Sequence, residues 1–578
     1  MALDSKFSKI LSSLSRWIFL FKDEHFLLIL LGIPIGICGG LAAVALNHSI
    51  EICSEALHVF HGHWTFVFFP AIGAVLSIFV LSVIFHEGSG HAVPIVIYSV
   101  LRKGGLLRFR SSVSHLLGCL CTISFGGSAG PEAPVVVSGS SIGSTIARLF
   151  SLHERQRVAM AGCGIAAAIS AIFNAPIAGI VFTIEIILCE WSTVNLAPIA
   201  LASVTATQTS RILRGNQIPF EHFPFEFTTL DVIACLGLAV MVSVIAVLFS
   251  KVLAFAEHTS SKLASNIFVR GIAGGICVGL IGLFAPDVLG EGYHTIRAII
   301  EQRYAPTFLI LLLLIVGKIA ATSLTLGTGS AGGVFAPALV LGSMTGLCYW
   351  QMLDSLWPSR EWVGGGCFAL LGMAGMISGV LHAPLTGIFL IVEITGGYEV
   401  VVPLILVSVL AATISRAFLP ASIYYRELMD RGQLLRPRTD ARILADIDIQ
   451  DVIQVNLTSI PPDTPLRDFS NIIQRTGESF FPVIDPQNGK FHGLVFVERA
   501  QPYLLSQELY DAILVEEIIE GSNAHVSLND DLLSVMDRFE HERTDVLPVI
   551  EQGRFLGAIA KSDILDQYRK ELIVQTTT

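Results

Sequence analysis

The sequence predicts an all-α membrane domain that crosses the bilayer many times, followed by a smaller α/β unit on the cytoplasmic side. Three observations lead to this fold class. First, 53% of the 578 residues are hydrophobic and only 14% are charged, against about 25% charged in an ordinary soluble domain. Second, apolar segments interrupted by Gly and Pro occur as two similar sets. Third, charged residues become frequent after Tyr425.

The overall composition excludes several classes of protein. The chain has 47 acidic and 36 basic residues, a net charge of −11, which has the wrong sign for binding nucleic acid. All ten cysteines lie in the apolar part, without the spacing of a metal or redox site. The sequence shows no catalytic triad, zinc-protease motif or phosphate-binding loop in a suitable context. We therefore predict no enzyme, no catalytic residue, no metal site and no required cofactor.

The membrane part is predicted to span residues 25–430, after an amphipathic cytoplasmic helix in residues 1–24. A straight helical span needs about 20 apolar residues, but many segments are shorter or interrupted, and Phe308 to Gly317 is a short charge-free example. Broken helices are tolerated at membrane depth only where their freed backbone is buried or lines a cavity. Three basic loops are predicted to face the cytoplasm by the positive-inside rule. They contain Arg102, Lys103, Arg108 and Arg110; Arg155 and Arg157; and Arg211 and Arg214.

Two halves of the membrane part repeat one another. Asn174-Ala-Pro-Ile-Ala-Gly-Ile-Val-Phe-Thr-Ile-Glu-Ile186 matches His382-Ala-Pro-Leu-Thr-Gly-Ile-Phe-Leu-Ile-Val-Glu-Ile394. Earlier in each half, Gly127-Ser-Ala-Gly130 and Gly329-Ser-Ala-Gly332 open similar loops that end in proline. The repeats cover about residues 25–215 and 228–425. Paired interrupted segments of this kind indicate a transporter-type site near the bilayer midplane, usually in inverted repeats, which is the arrangement we predict.

The first of these loops carries a carboxylate at membrane depth. Glu132 lies in Gly127-Ser-Ala-Gly-Pro-Glu-Ala-Pro134, just before a helix predicted for Val135 to Ala147. Charge inside a membrane is costly and usually functional. A helix start offers free N–H groups and partial positive charge to an anion. We therefore interpret Glu132 as a tethered anion mimic that occupies the N–H cluster when ionised and leaves it when protonated. The alternative is that Glu132 only caps its own helix.

Together with two further elements, these loops resemble the CLC family of chloride channels and proton-coupled chloride exchangers. The three anion-site signatures of that family, GSGIP, GREGP and GxFxP, match Gly90-His-Ala-Val-Pro94, Gly130-Pro-Glu-Ala-Pro134 and Gly333-Val-Phe-Ala-Pro337. The resemblance implies that Glu132 is the gating glutamate and that Tyr424 supplies an inner hydroxyl. It also implies a homodimer in the lipid bilayer with chloride as the bound ligand. The remaining anion-binding positions that it implies are Gly130, Pro131, Gly333, Val334, Phe335 and Ala336, where Val334 and Phe335 donate main-chain N–H groups.

The sequence departs from the family pattern at positions that bear on selectivity and proton coupling. The central serine of the first signature is replaced by His91 if the motif is aligned on Pro94, which we favour, whereas alignment on its glycines selects Ser89 instead. Pro131 stands where the family usually has Arg, and Ala133 stands where it has Gly. In many exchangers an inner glutamate follows the position of Glu185, but here that position is Ile186.

The glutamate at position 185 and its repeat partner have a structural interpretation of their own. Glu185 and Glu393 occupy matching places near the ends of the two repeated segments. We predict that both are structural, capping or bonding loop N–H groups. Because Ile186 replaces the acid beside Glu185, a proton-uncoupled chloride channel remains the alternative to an H+/Cl− exchanger.

The C-terminal part resembles a pair of CBS modules, at about residues 446–505 and 512–574, after a linker at 431–445. The two modules share Pro-Val-Ile runs and a second run that contains Gly. CBS pairs often bind adenine nucleotides. Of the usual Thr-x-x-Asp ribose motif, only Asp563 remains. We prefer a dimerisation and stability module, with adenine-nucleotide binding as the alternative.

The sequence as a whole predicts CLC-type transmembrane transport of chloride. If the protein is an exchanger, protons are its second substrate. We expect a multi-pass protein of the cell membrane with both termini in the cytoplasm. Outside this class, the alternative is a CBS-regulated divalent-cation transporter. That function would require acidic residues that converge within the membrane.

Overall fold

The computed structural model describes most of the chain. It describes residues 24–58, 64–88, 92–189, 193–215, 227–304, 306–430, 444, 447–505, 509–519, 524–528, 530–542, 544–551 and 554–577. The N-terminal helix predicted for residues 1–24 and nearly all of the predicted linker therefore lie outside the described residues. Contacts divide the chain into two compact units, Met1–Gln433 and Leu434–Thr578.

The first unit is helical throughout its described part. Seven of the described helices are long and apolar enough to cross a membrane. Shorter apolar helices such as Ser111–Ser124 and Pro384–Thr395 accompany them, as expected for a fold with broken spans. The helices are α1 Glu24–His58, α2 Phe69–Phe79, α3 Ala92–Arg102, α4 Ser111–Ser124, α5 Glu132–Leu149, α6 Glu154–Phe173, α7 Pro176–Phe182, α8 Thr193–Arg214, α9 Thr229–Leu263, α10 Ile267–Phe284, α11 Tyr293–Ile300, α12 Phe308–Gly327, α13 Phe335–Leu356, α14 Gly365–Leu381, α15 Pro384–Thr395, α16 Val401–Phe418 and α17 Ile423–Asp430.

The two repeats are inverted, as their pairing of α7 with α15 shows. The Glu185 carboxylate, just beyond the end of α7, accepts hydrogen bonds from the N–H groups of Leu385 (3.1 Å) and Thr386 (2.7 Å) at the start of α15. The Glu393 carboxylate, near the end of α15, accepts the N–H groups of Ile177 (2.9 Å) and Ala178 (2.7 Å) at the start of α7. Each helix therefore ends where its partner begins. The prediction that both glutamates serve as structural caps is confirmed, and the contacts add that each caps the other repeat.

Both repeats also use the same helix crossing. In the first repeat, α5 crosses α6 so closely that a Cβ added at Gly139 or Gly164 would collide with the backbone of the other glycine. In the second repeat, α13 crosses α14 at Gly342 and Gly372 in the same way. Small residues allow helix backbones to approach this closely inside a membrane.

One prediction about the basic loops is wrong. Arg157, at the start of α6, donates to the carbonyl of Gly104 at 2.6 Å, which joins the first two basic loops. Arg211 donates to Asn174, beyond the other end of α6, at 2.6 Å. Because α6 has 20 residues and is therefore about 30 Å long, the third basic loop lies at the opposite end of this span. The three loops cannot all face the cytoplasm, since a charge count takes no account of which helix ends meet.

The second unit contains two similar α/β modules. Their elements are α18 Leu466–Thr476, β1 Phe480–Ile484, β2 Phe491–Phe496, α19 Val497–Leu504, α20 Leu532–Glu542, β3 Val546–Glu551, β4 Arg554–Ala560 and α21 Lys561–Thr577. β1 pairs with β2, and β3 pairs with β4, both antiparallel. The register shifts at the equivalent place in each pair, between Val483 and Ile484 and between Val549 and Ile550.

The two modules join through equivalent residues. The rings of Phe491 and Phe555 stack with centroids 4.9 Å apart. Gln454, which precedes the first module's strands, pairs in an antiparallel bridge with Ala558 in the second module. The tandem repeat that the sequence predicts is therefore present in the backbone and in the packing.

Candidate functional site: an anion site between the repeats

The two Gly-rich loops meet directly in the middle of the membrane unit. Gly130 donates its N–H to the carbonyl of Gly333 at 2.9 Å, and Gly333 donates back to Gly130 at 2.8 Å. Glycine is needed here, since a Cβ at Gly333 would lie 2.9 Å from the Cβ of Ala133. This short antiparallel bridge places the equivalent loops of both repeats at one point.

Hydroxyl groups of α12, in the second repeat, form hydrogen bonds with the first loop. The N–H of Ser128 donates to Thr325 Oγ1 at 3.1 Å, and the Ser128 hydroxyl lies 2.9 Å from that of Thr322. In the second loop, the N–H of Ala331 donates to the hydroxyl of Ser77 at 3.0 Å. Loop backbone that is not in a helix therefore has buried partners, as a site at membrane depth requires.

Each loop leads into a helix whose start carries no side-chain cap. The helix α5 begins at Glu132, three residues earlier than the sequence predicts, and α13 begins at Phe335. The residues before these helices are Pro131 and Val334, and neither makes a side-chain hydrogen bond to the first N–H groups of its helix. The first N–H groups of a helix have no intrahelical acceptor. Two such starts that face one point provide the partial positive charge that attracts an anion.

The Glu132 carboxylate lies at this point and is only 1% exposed. Its Oε1 accepts a short hydrogen bond from the hydroxyl of Tyr293. The backbone N–H groups of Glu132 and Ala336 lie close enough to stabilise the negative charge of the carboxylate. Within the described part of the chain, however, Oε2 has no well-formed hydrogen bond. The carboxylate is therefore held by the Tyr293 hydroxyl and lies beside N–H groups of both repeats.

Aromatic rings surround the carboxylate on the side of the second loop. Phe335 is 1% exposed and packs against Phe173 and Phe182, with ring centroids 5.3 Å and 6.1 Å apart. Phe173 also meets Tyr293 edge to face at 6.4 Å. Gly130, Pro131, Gly333 and Val334 lie in the two bridged loops, and Ala336 lies in the first turn of α13. The structure therefore brings these predicted site residues together with Glu132 and Phe335.

Tyr424 is the predicted residue that comes from farthest along the chain. Its side chain is 3% exposed, and its hydroxyl is close enough to the Glu132 carboxylate for the two groups to interact electrostatically. Ile186, the residue that directly follows Glu185, is 2% exposed. Its carbonyl accepts a hydrogen bond from the Tyr425 hydroxyl at 3.1 Å. Ser89 and His91, the two alternatives for the central position of the first signature, lie outside the described residues, as does Gly90.

A cavity of about 260 Å³ leads from the surface toward Tyr293. Its lining includes Glu51, Phe173, Arg214, Glu291, Tyr293 and Arg297. At its outer part, Arg214 forms an ion pair with Glu51, whose side chain is 51% exposed. The cavity lies at the end of α6 that carries Asn174, opposite the end that carries Arg157. We call this cavity the vestibule.

Three residues at or next to the vestibule were not predicted from the sequence. Tyr293 holds Glu132, Glu291 lies in the loop before α11, and Lys318 lies inside α12. Lys318 is 0% exposed, and its ammonium donates to the carbonyls of Val288 and Gly290 at 3.0 Å each. The sequence does indicate Lys318, because a lysine inside an apolar span is usually functional. Lys318 directly follows the charge-free segment Phe308 to Gly317. Tyr293 and Glu291 follow a short helical turn and gave no such signal.

The second unit has a cleft of about 620 Å³ lined by residues of both modules, including Gln454, Ser479, Phe480, Asp545 and Lys561. Asp563, the one retained residue of the ribose motif, is bonded to Gln454 Nε2 at 2.7 Å. The carboxylate that would hold a ribose therefore already has a protein partner.

Family models match both units. The model described as "Voltage gated chloride channel" matches residues 72–416. The model described as "CBS domain" matches residues 449–498 and 515–570. The H(+)/Cl(−) exchange transporter ClcA of Vibrio cholerae is 29% identical over 434 residues, which covers 72% of this chain and 91% of the relative. The protein of the same name from Yersinia pseudotuberculosis is 27% identical over 449 residues, covering 73% and 92%.

Solved structures share the fold. A slow cyanobacterial Cl−/H+ antiporter superposes with a TM-score of 0.63 at 22% identity, covering 71% of this chain and 98% of the antiporter. A eukaryotic CLC transporter superposes with a TM-score of 0.62 at 19% identity, covering 94% and 99%. At these identities the superpositions show the architecture alone.

Proposed function

Because the chain belongs to the voltage-gated chloride channel (CLC) family, we propose that it carries chloride across a membrane between the two bridged loops. The single observation that carries this proposal is the bridge of Gly130 with Gly333, which brings two uncapped helix starts to one point. Such a site can replace part of the hydration of an anion and still release it, since its donors are neutral N–H groups.

Glu132 is the gate in this proposal. Its carboxylate lies beside the N–H groups that an anion would use, so the carboxylate and chloride compete for one place. Protonation removes the charge of Glu132 and its attraction to these donors, and the site then accepts chloride. Val334 and Phe335 would supply main-chain donors to the anion, and Tyr424 would supply a hydroxyl on the other side.

We propose that transport is coupled to protons, because the relatives described above are named H(+)/Cl(−) exchange transporters. Ile186 offers no acid on the inner side, so an inner proton would need another route to Glu132. A proton-uncoupled channel is the other outcome of the test below. The divalent-cation alternative is not favoured, since the family model and the relatives are those of chloride transport.

The test uses purified protein in liposomes, with chloride efflux and external pH recorded together, with and without a proton ionophore. The unmodified protein is expected to move protons uphill, driven by the downhill movement of chloride. Glu132→Gln is expected to retain chloride flux and lose all coupled proton movement, because an amide cannot carry the proton.

The matched control for this test is Glu301→Gln, at a surface acid that pairs with Arg303 at 3.2 Å, and it is expected to behave as the unmodified protein. Proton pumping in Glu132→Gln would contradict the gating assignment. Chloride flux without proton movement in the unmodified protein would make it a channel.

Assembly, orientation and the second unit complete the proposal. We propose a homodimer with one pathway in each subunit, which light scattering of the detergent-solubilised protein would test. The end of α6 that carries Arg157 would face the cytoplasm together with both termini, because most basic loop residues lie there. The second unit would serve dimerisation and stability. Heat released on titrating the full-length protein with ATP, ADP or AMP would favour the nucleotide alternative instead.

A further inference from the structure

The vestibule contains a second acid close to the gate. Glu291 lies in the loop between α10 and α11, outside the membrane-spanning helices, two residues before Tyr293. Both side chains line the vestibule. Glu132 lies behind Tyr293, since its carboxylate is 1% exposed and accepts the Tyr293 hydroxyl. The hydrogen-bonded connection of Glu132 to the vestibule therefore runs through Tyr293.

Charged groups from four elements act on Glu291. They are Glu132 at the start of α5, Glu51 on α1, Arg214 on α8 and Lys318 on α12. Lys318 also holds the loop that carries Glu291, through the carbonyls of Val288 and Gly290. Burial, followed by the charge of Glu132, raises the pKa of Glu291 to about 8. This acid can therefore hold or release a proton near neutral pH.

We propose that Glu291 takes up protons from the vestibule and passes them to Glu132 through the hydroxyl of Tyr293. In the transfer, the carboxyl proton of Glu291 reaches the Tyr293 oxygen through water in the vestibule, while the Tyr293 hydroxyl proton moves to Glu132 Oε1. Glu291 is left ionised, Glu132 becomes neutral, and Tyr293 is unchanged. This inference rests on the proposed gating role of Glu132.

The other acid of the vestibule provides a matched control. Glu51 lines the same cavity, but it forms an ion pair with Arg214 and its side chain is 51% exposed. Glu51→Gln makes the same carboxyl-to-amide change in the same cavity as Glu291→Gln.

The experiment measures chloride efflux from liposomes at equal internal and external pH between 4 and 8, and its response time after a rapid pH jump. The unmodified protein is expected to speed up with acid as Glu132 becomes neutral. Glu291→Gln is expected to leave the half-maximal pH nearly unchanged, because a carboxyl group with a pKa of about 8 is already neutral over most of this pH range, like the amide that replaces it. It is also expected to slow the response to the jump several-fold, because the relay has lost its first group.

Tyr293→Phe separates the relay from simple electrostatics. It keeps the ring against Phe173 but removes the donor that stabilises ionised Glu132. Its half-maximal pH is therefore expected to move up, unlike that of Glu291→Gln, while its response to the jump is also slowed. Glu51→Gln is expected to match the unmodified protein in both measurements.

The outcomes distinguish this inference from the proposed function. If Glu291→Gln responds as fast as Glu51→Gln, the relay is wrong, even if the half-maximal pH has moved. If the unmodified protein shows no pH dependence, the gating role of Glu132 and the relay both fail. If pH dependence is present and lost in Glu132→Gln while Glu291→Gln is normal, only the relay fails. Chloride flux at low pH and a single peak in size-exclusion chromatography verify that each variant is folded.

Discussion

The two repeats of the membrane unit present the same backbone with different side chains at the point where they meet. Helix α5 begins with Glu132 in the first repeat, and α13 begins with Phe335 at the equivalent position in the second. The carboxylate lies beside the N–H groups of both loops, whereas the phenyl ring packs against Phe173 and Phe182. The comparison teaches that the repeat gives both loops the same arrangement of backbone donors, while the side chains beside these donors differ between the two halves.

The symmetric part extends to the corners behind the loops. Asn174 and His382 both end a helix in the left-handed conformation, with φ of 57° and 58°. Arg211 bonds to the side chain of Asn174, whereas Arg416 bonds to the backbone carbonyl of His382 at 2.7 Å. The same backbone is therefore held by two different contacts, and substitutions at equivalent positions can reveal where the repeats differ.

The largest effect is expected where both repeats are alike, at the glycine crossings. Gly164→Ala and Gly372→Ala each place a methyl group against the backbone of the crossing helix, and overpacking of this kind costs about 1–3 kcal/mol or more. Both variants are expected to lose most of their folded yield, measured by size-exclusion chromatography after detergent extraction.

The control for the glycine crossings lies on the same helix as Gly164. An added Cβ at Gly162 meets side-chain atoms no closer than 3.4 Å, so Gly162→Ala is expected to fold normally. A normal yield for Gly372→Ala beside a failed Gly164→Ala would show that the two crossings are not equivalent.

An intermediate effect is expected at the reciprocal caps. Glu185→Ala leaves the N–H groups of Leu385 and Thr386 and the Thr386 hydroxyl without their acceptor, whereas Glu393→Ala affects only two N–H groups. Leaving a buried group unsatisfied costs about 1–3 kcal/mol. Thermal unfolding in detergent should show a lower Tm for both variants, with the larger decrease in Glu185→Ala. Equal decreases would mean that the Thr386 hydroxyl contributes nothing measurable.

The smallest effect is expected at the left-handed corner of His382, and the equivalent corner at Asn174 provides the contrast. His382→Gly removes an unfavourable left-handed residue but adds the entropic cost of glycine, about 0.5–1 kcal/mol, so its Tm is expected to change little. Asn174→Gly also loses the bond from the charged Arg211, which is worth about 1.5–3 kcal/mol, so its Tm is expected to fall. A difference of opposite sign between the two variants would contradict this account of the corners.

Much of the site could be predicted because its members lie close together in the sequence. The loop of Glu132 and the loop of Phe335 are each continuous motifs, and the paired segments ending in Glu185 and Glu393 show the repeat directly. The donor to Glu132 could not be predicted, because Tyr293 is 161 residues away along the chain. The side of the membrane for Arg211 was predicted wrongly, since local charge does not report which helix ends meet.

The sequence by itself determined the membrane class, the internal repeat, the position of the acidic loop and the tandem C-terminal modules, because composition and local motifs carry that information. Only the tertiary structure decided that the repeats are inverted and that Gly130 bonds to Gly333. It also decided that Glu291 and Tyr293 line the vestibule, with Lys318 next to them. The physical reason is that hydropathy has the same pattern whichever way a helix crosses the bilayer. The sense of each crossing and the contacts between distant segments are set by packing and by the need to satisfy buried polar groups.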